Sequence, residues 1–361
     1  MRVAVDTSFL ARAPNGTRTY LEQLLRYLPE VAPDIEVIPV APPEPIAGRL
    51  AQARWEFDGV SRAARALGPD LLHIPTFSAP PRRGLPLVVT VHDVIPLVLP
   101  AYRRSRAMRL HMVAMAWTVR AATAIITPSE HAAADVVRVL GIERGRVHVT
   151  PEAADESMAP PDDPSAVRAV LDALGIRGRY VFNVGGLDVR KGIPLLIEAF
   201  ALVRESVAEP ITLVIAGAAH TGNPHVYPPI APHVERLGLV DHVVLTGRVD
   251  EVQKLVLHQG AALYVTPSSY EGFGLTTLEA MACGVSVVAA DRTSLPEVVA
   301  DAGLLVDLDA RSLADAMVKV LTNPALAADL SARGIARASH FSWRETARLT
   351  ADVYRIVASA T

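Results

Sequence analysis

Glu271, Glu279, Arg190 and Lys191 are the residues in this chain whose types and spacing suggest chemistry. Seven residues separate the two glutamates, and Gly272-Phe273-Gly274-Leu275-Thr276-Thr277 between them reads as a glycine-rich turn opening a helix. The first N–H groups of a helix lack intrahelical partners and sit at the positive end of its dipole, so such a turn suits a diphosphate. The hydroxyls of Thr276 and Thr277 add possible phosphate contacts. A carboxylate further along, Glu279, can accept hydrogen bonds from sugar hydroxyls, and its apolar neighbours Leu278, Ala280 and Met281 predict a buried acid that needs a partner. Arg190 and Lys191 follow Gly185-Gly186, between an apolar strand-like run and a helix-like one. Cations at a helix start gain nothing from the dipole, which favours work on an anionic ligand over a solvated pair. At the end of a parallel strand they stand where open α/β sheets bind ligands, suited to neutralising a departing diphosphate. Together these residues point to a ligand carrying both phosphate and sugar.

The elements that must hold them alternate. Strand-like runs are predicted at 2–6, 70–74, 86–91, 124–127 and 147–149, with helical spacing over 20–28 and 130–140. Pro160-Pro161-Asp162-Asp163-Pro164 reads as a linker. The alternation then resumes, with strands at 180–184, 211–215, 243–245, 262–266 and 285–290 and a helix over 194–205. Ser342 caps a last helix that has Glu345 in its first turn. Strands alternating with helices predict parallel α/β sheets, and 361 residues favour more than one core. The expected division is a first domain over 1–160, a second over 161–341, and a terminal helix over 342–361.

Together with Val91-His92-Asp93, Thr127-Pro128-Ser129, Val184-Gly185-Gly186-Leu187-Asp188-Val189-Arg190-Lys191-Gly192, Ala280-Met281-Ala282-Cys283-Gly284 and Leu295-Pro296-Glu297-Val298, the Glu-x7-Glu segment resembles family four of the retaining glycosyltransferases of the GT-B fold. The motifs span most of the chain in family order. The resemblance implies an α/β protein of two Rossmann-like domains whose parallel sheets face an interdomain cleft, and a terminal helix crossing back to the first domain. It implies a nucleotide-sugar donor held by Gly185, Gly186, Arg190, Lys191, Glu271, Gly272, Phe273, Gly274, Leu275, Thr276 and Glu279, with Glu279 on the ribose and Glu271 on the transferred sugar. His92 would touch that sugar near the reaction centre, and Asp93 would orient His92 or line the acceptor pocket. Gly16 in the first strand-to-helix loop would allow close approach of a ligand, and Arg248 would lie near the nucleobase. No cofactor and no divalent metal are implied. The chain departs from the pattern twice. Gly186 stands where many relatives carry arginine, a place Arg190 would take, and Pro151-Glu152-Ala153 stands where many have Pro-Asn-Gly.

The forms around Lys191 and His92 look most like the mannosyl- and rhamnosyl-transferring branch that builds bacterial surface polysaccharides. They put GDP-mannose first as donor and UDP-glucose second, with a glycan, lipid-linked or small-molecule acceptor. A sugar-nucleotide epimerase or hydrolase, and a non-catalytic nucleotide-sugar-binding protein, are the alternatives.

Composition excludes other classes. A net charge of −3 gives no drive toward nucleic acid. No Gly-x-Gly-x-x-Gly follows the first strand, no phosphate-loop motif appears, and no Cys/His set has zinc spacing. The single cysteine, Cys283, reads as a small core residue of a reduced compartment. Asp6 interrupts any secretory signal, so a cytoplasmic location is expected. Arg103-Arg104-Ser105-Arg106 with Arg109 opens a Met- and Ala-rich helix that reads as a solvated helix end with a core-facing Met stripe, or as a peripheral membrane contact with anionic lipid or a contact for a phosphate-bearing acceptor. Arginines outnumber lysines 32 to 3, a bias attributed to base composition.

Overall fold

The computed structural model describes residues 1–11, 16–44, 46, 48–81, 84–103, 106–218 and 223–360. Arg104 and Ser105, named above, lie outside the described residues. The chain divides into two units, Met1–Glu152 with Phe341–Thr361, and Ala153–His340. The first passage between them falls at 152/153, ahead of the proline-rich segment placed at a boundary by sequence. Residues 160–163 of that segment are neither helix nor strand. Pro164 opens the Pro164–Ala173 helix, where a fixed φ costs nothing, and Asp163 Oδ1 caps it by accepting from the Ser165 N–H at 2.8 Å.

In the first unit β1 (Arg2–Asp6), β2 (Glu36–Val40), β3 (Leu71–Ile74), β4 (Leu87–Thr90), β5 (Ala124–Thr127) and β6 (Val147–Val149) form a sheet of order β2-β1-β3-β4-β5-β6, with every pair parallel. In register, Val3 lies opposite Val37 on one side and Leu71 on the other. The central strands are buried along their whole length, which is why they read as unbroken apolar runs. The last helix, Trp343–Ser359, packs on the Gly16–Val31 helix and reaches β3 and β4 within this unit. A buried polar chain fastens it there. His73 Nδ1 lies 2.6 Å from the Tyr354 hydroxyl, His73 Nε2 lies 2.8 Å from Thr90 Oγ1, and the Tyr20 hydroxyl lies 3.2 Å from the same Oγ1. Burial, with the charge of His92 as the lesser cause, pushes His73 down to about 3. The ring is therefore neutral at pH 7 and donates at one nitrogen while accepting at the other.

The second unit repeats the architecture with β7 (Arg179–Val184), β8 (Ile211–Ala216), β9 (Val243–Gly247), β10 (Leu263–Thr266), β11 (Val287–Ala290) and β12 (Leu304–Val306), ordered β12-β11-β10-β7-β8-β9 and all parallel. Ile197, Phe200 and Val203 of the Ile193–Ser206 helix pack with Leu313 and Met317 of the Ala310–Leu321 helix over Val181, Leu213 and Val265. Each such side chain contributes about 1.5–3 kcal/mol by burial. The strand order reverses between β7 and β10, so the loops leaving these neighbours diverge and open a crevice at their carboxyl ends.

Candidate active site

That crevice holds the sequence-predicted charges. Leaving β7, the chain turns at Gly185, whose φ of +150° and neighbouring Lys191 Cε, 3.3 Å from where a Cβ would sit, disfavour a side chain. A short 3-10 turn, Val189–Lys191, then brings Arg190 and Lys191 back over the strand end. Leaving β10, the chain runs through Glu271 to Gly274, whose φ of +108° lets the Leu275–Ala282 helix start abruptly. Lys191 Nζ reaches Glu271 Oε1 at 2.6 Å, and the Arg190 guanidinium reaches Glu271 Oε2 at 2.9 Å and Asp188 Oδ1 at 3.1 Å. Lys191 and Glu271 side chains are each 10% exposed, so the pair is largely dry. Burial pushes the Glu271 carboxyl up, but Lys191 and Arg190 together outweigh it and hold it at about 2. Glu271 is thus ionised at pH 7, with a cation on each oxygen.

The turn itself is clamped from the loop after β11. The Glu271 N–H donates to Thr293 Oγ1 at 2.9 Å, and the Ser294 hydroxyl lies 3.0 Å from the Glu271 carbonyl and 2.7 Å from the Phe273 carbonyl. Thr293 carries a φ of +53°, an outlier for a β-branched residue that marks stored strain beside the cluster.

Glu279 lies just over one turn into its helix. Its predicted partner is Lys254, whose Nζ donates to Glu279 Oε1 at 2.8 Å and also sits 2.7 Å from Glu251. The Glu279 side chain is 4% exposed. Burial would raise it, but His258 and Lys254 together hold it below the usual carboxylate range. His258, fully buried, stands 3.7 Å from Glu279 Oε2, and burial pushes it down, which leaves it neutral. Sequence reasoning missed both. Lys254 and His258 are four residues apart on the Glu251–Gln259 helix, so they share a face. The signal was there: two of the chain's three lysines, Lys191 and Lys254, pair with the two glutamates of the Glu-x7-Glu segment.

The remaining candidates are dispersed. Thr276 Oγ1 receives the Tyr264 hydroxyl at 2.9 Å, the Thr277 N–H is spent on the Gly274 carbonyl, and Thr277 Oγ1 is buried without a partner. Gly186 is exposed, and Asp188 Oδ2 lies 3.0 Å from its Cβ position. Arg248 stands exposed beyond the edge strand β9 with no ion pair to the cluster. Cys283 is the residue after the helix, not within it, and is buried. In the first unit Gly16 begins its helix with open space around its Cβ position. His92 Nδ1 lies 2.8 Å from Glu152 Oε1. Burial pulls the imidazole down, but Glu152 and Asp93 raise it above its ordinary value. Glu152 is a third residue that sequence reasoning passed over, as part of a departure from the family pattern. Asp93 Oδ1 accepts from the Ile95 N–H at 3.0 Å and turns the chain into the Ile95–Val98 helix, a structural duty.

Two family models match: glycosyl transferases group 1 over residues 174–337, and glycosyltransferase family 4 over residues 14–157. Alpha-maltose-1-phosphate synthase of Mycolicibacterium smegmatis is 31% identical over 298 residues, covering 76% of this chain and 74% of that protein. The chain belongs to the family-four glycosyltransferases. O-antigen chain mannosyltransferase B of Escherichia coli is 29% identical to this glycosyltransferase over 289 residues, 80% of the chain and 74% of the relative. The serotype-specific mannosyltransferase WbdA of Escherichia coli is 27% identical over 82% of the chain, which spans 39% of that longer protein. Among solved structures, sucrose-phosphate synthase of Thermosynechococcus elongatus superposes with a TM-score of 0.79 at 22% identity, over all of both chains. HepE of Anabaena, in complex with UDP and glucose, superposes at 0.73 and 20% over 98% of this chain and 99% of its own. Both place the glycosyltransferase in the GT-B fold class. Among the described residues, no helix is long and apolar enough to cross a membrane.

Proposed function

We propose that the chain transfers a hexose from a nucleotide sugar to an acceptor hydroxyl with retention of anomeric configuration, in the assembly of a surface polysaccharide or related glycoconjugate. The observation that carries this is the Arg190–Lys191–Glu271 cluster, set beside a helix start at the switch point of the second sheet. The diphosphate is assigned to Lys191, Arg190 and the N–H groups of Leu275 and Thr276, the ribose to Glu279, and the sugar hydroxyls to Glu271. His92 is assigned the reacting sugar by resemblance, and Gly16 a close approach of the protein backbone to a phosphate or acceptor. Mannosyltransferases among the relatives favour GDP-mannose as donor; UDP-glucose is second, supported by the UDP complex of HepE. No metal is assigned a role.

In the proposed reaction the bond from the anomeric carbon to the phosphate oxygen breaks, and Lys191 and Arg190 offset the charge that develops there. The acceptor oxygen forms its bond on the same face and gives its proton to the departing phosphate. Glu271, with both oxygens on cations and its carboxyl at about 2, is a poor nucleophile, so no covalent sugar is expected on it.

The test is nucleotide release from a panel of sugar nucleotides, with and without an acceptor extract. Acceptor-dependent release of GDP or UDP supports the reading. Acceptor-independent release would favour a hydrolase, an isomerised sugar an epimerase, and binding without turnover a non-catalytic protein.

A further inference from the structure

The first unit carries a surface that the transferase chemistry does not use. The Arg106–Val119 helix buries Met112, Met115, Ala116, Thr118 and Val119 on one side. On its opposite side Leu110, Val113 and Trp117 are 72%, 63% and 62% exposed. Their spacing of three and four puts them in one stripe. An isolated exposed apolar residue needs no explanation, but a large aliphatic pair and a tryptophan aligned on one helix face are costly to leave in water.

Charge says what covers the stripe. Between Asp93 and Glu130 the chain has no acidic residue, although its overall content of 38 acids in 361 residues would place about four there. The same span holds five arginines, Arg103, Arg104, Arg106, Arg109 and Arg120, in a protein whose net charge is −3. Arg109 is exposed next to Leu110. A basic helix end running into an exposed Leu–Val–Trp face has the two halves of an interfacial helix. Arginines meet phosphate headgroups, and the apolar stripe settles at the acyl boundary with tryptophan at its preferred depth.

We infer that the exposed face of the Arg106–Val119 helix docks on an anionic lipid bilayer, with Trp117, Leu110 and Val113 entering the interface and Arg109 facing lipid phosphate. The helix belongs to the first unit and the donor-site residues to the second, so the inference holds or fails independently of the transferase reading. It would hold a soluble donor site beside membrane-borne acceptors.

The chain has three tryptophans, and Trp55 and Trp343 are buried, so Trp117 is the one that can report contact. The full chain is mixed with vesicles of phosphatidylglycerol or of phosphatidylcholine at low and at physiological salt. Expected are sedimentation with the phosphatidylglycerol vesicles, a blue shift with protection from acrylamide, and weakening as salt rises. Leu110→Ser/Val113→Ser/Trp117→Ser should reduce partitioning about tenfold or more. Arg109→Ala should reduce it roughly fivefold. Nucleotide binding, measured without vesicles, should be unchanged in both variants. The inference is overturned if the wild type stays in the supernatant with phosphatidylglycerol at low salt, if the triple variant binds as well as the wild type, or if gel filtration shows a dimer that the triple variant dissolves while neither binds vesicles.

Discussion

Replacing Lys191 with methionine keeps most of its bulk and removes one charge from the buried pair. In the wild type the Glu271 carboxyl is held at about 2, against an ordinary 4.5. A difference of that size corresponds to about 3 kcal/mol at 1.36 kcal/mol per pH unit. Because the folded value is depressed, this stabilisation is present above pH 4.5 and is lost as pH falls toward 2. Removing one partner of a buried ion pair costs roughly 3–5 kcal/mol. Arg190, 2.9 Å from the other Glu271 oxygen, keeps the carboxylate partly compensated, so the lower end, about 3 kcal/mol at pH 7, is expected. Adding Glu271→Gln should restore part of it, since the stranded charge is gone. Tryptophan fluorescence is blind here, because Trp55, Trp117 and Trp343 all belong to the first unit. Hydrogen exchange by mass spectrometry on peptides from β7 and β10 reads the opening free energy of the right unit. A loss below about 1 kcal/mol, the size of a solvent-exposed pair, would refute the claim that the cluster is dry and tightly coupled.

Three further outcomes follow from the geometry. Glu152→Gln removes the largest influence holding the His92 imidazole up, so its pKa should drop below 6.5 in an NMR titration. The stabilisation from the raised value is full below pH 6.5 and fades as pH rises through the folded value, so the variant should lose most stability below pH 6.5 and progressively less above it. Tyr354→Phe leaves His73 Nδ1 buried without a partner and should cost about 1–3 kcal/mol in chemical denaturation followed by tryptophan fluorescence. Lys254→Met should leave Glu279 without its directing cation. A wild-type preference for GDP over 2′,3′-dideoxy-GDP of roughly 10- to 100-fold, from a charged hydrogen bond of about 1.5–3 kcal/mol, should collapse in calorimetry; an unchanged preference would remove Lys254 from the site.

Much of the fold was legible because parallel strands buried on both faces read as short apolar runs. The strands that escaped are peripheral: β2, with Glu36 and Pro39 inside it, at one edge, and β12, three residues long, at another. The Pro160–Pro164 segment is irregular through Asp163, and only its last proline opens a helix. At the site, local sequence placed Arg190 and Lys191 at a strand end and Glu271 at a glycine-rich turn opening a helix, and topology then brought the two together. The pairing of Lys254 with Glu279 spans 25 residues and two elements, and Glu251–Gln259 reads locally as an ordinary surface helix. Only the rule that a buried carboxylate needs a cation, applied with the scarcity of lysine, could have found it.

The most direct test of the donor site is a crystal structure of the chain grown with GDP. The diphosphate should lie within hydrogen-bond distance of Lys191 Nζ, the Arg190 guanidinium and the first N–H groups of the Leu275–Ala282 helix, with the ribose hydroxyls on Glu279. A nucleotide bound away from those groups, or none at millimolar concentration of either GDP or UDP, would contradict it.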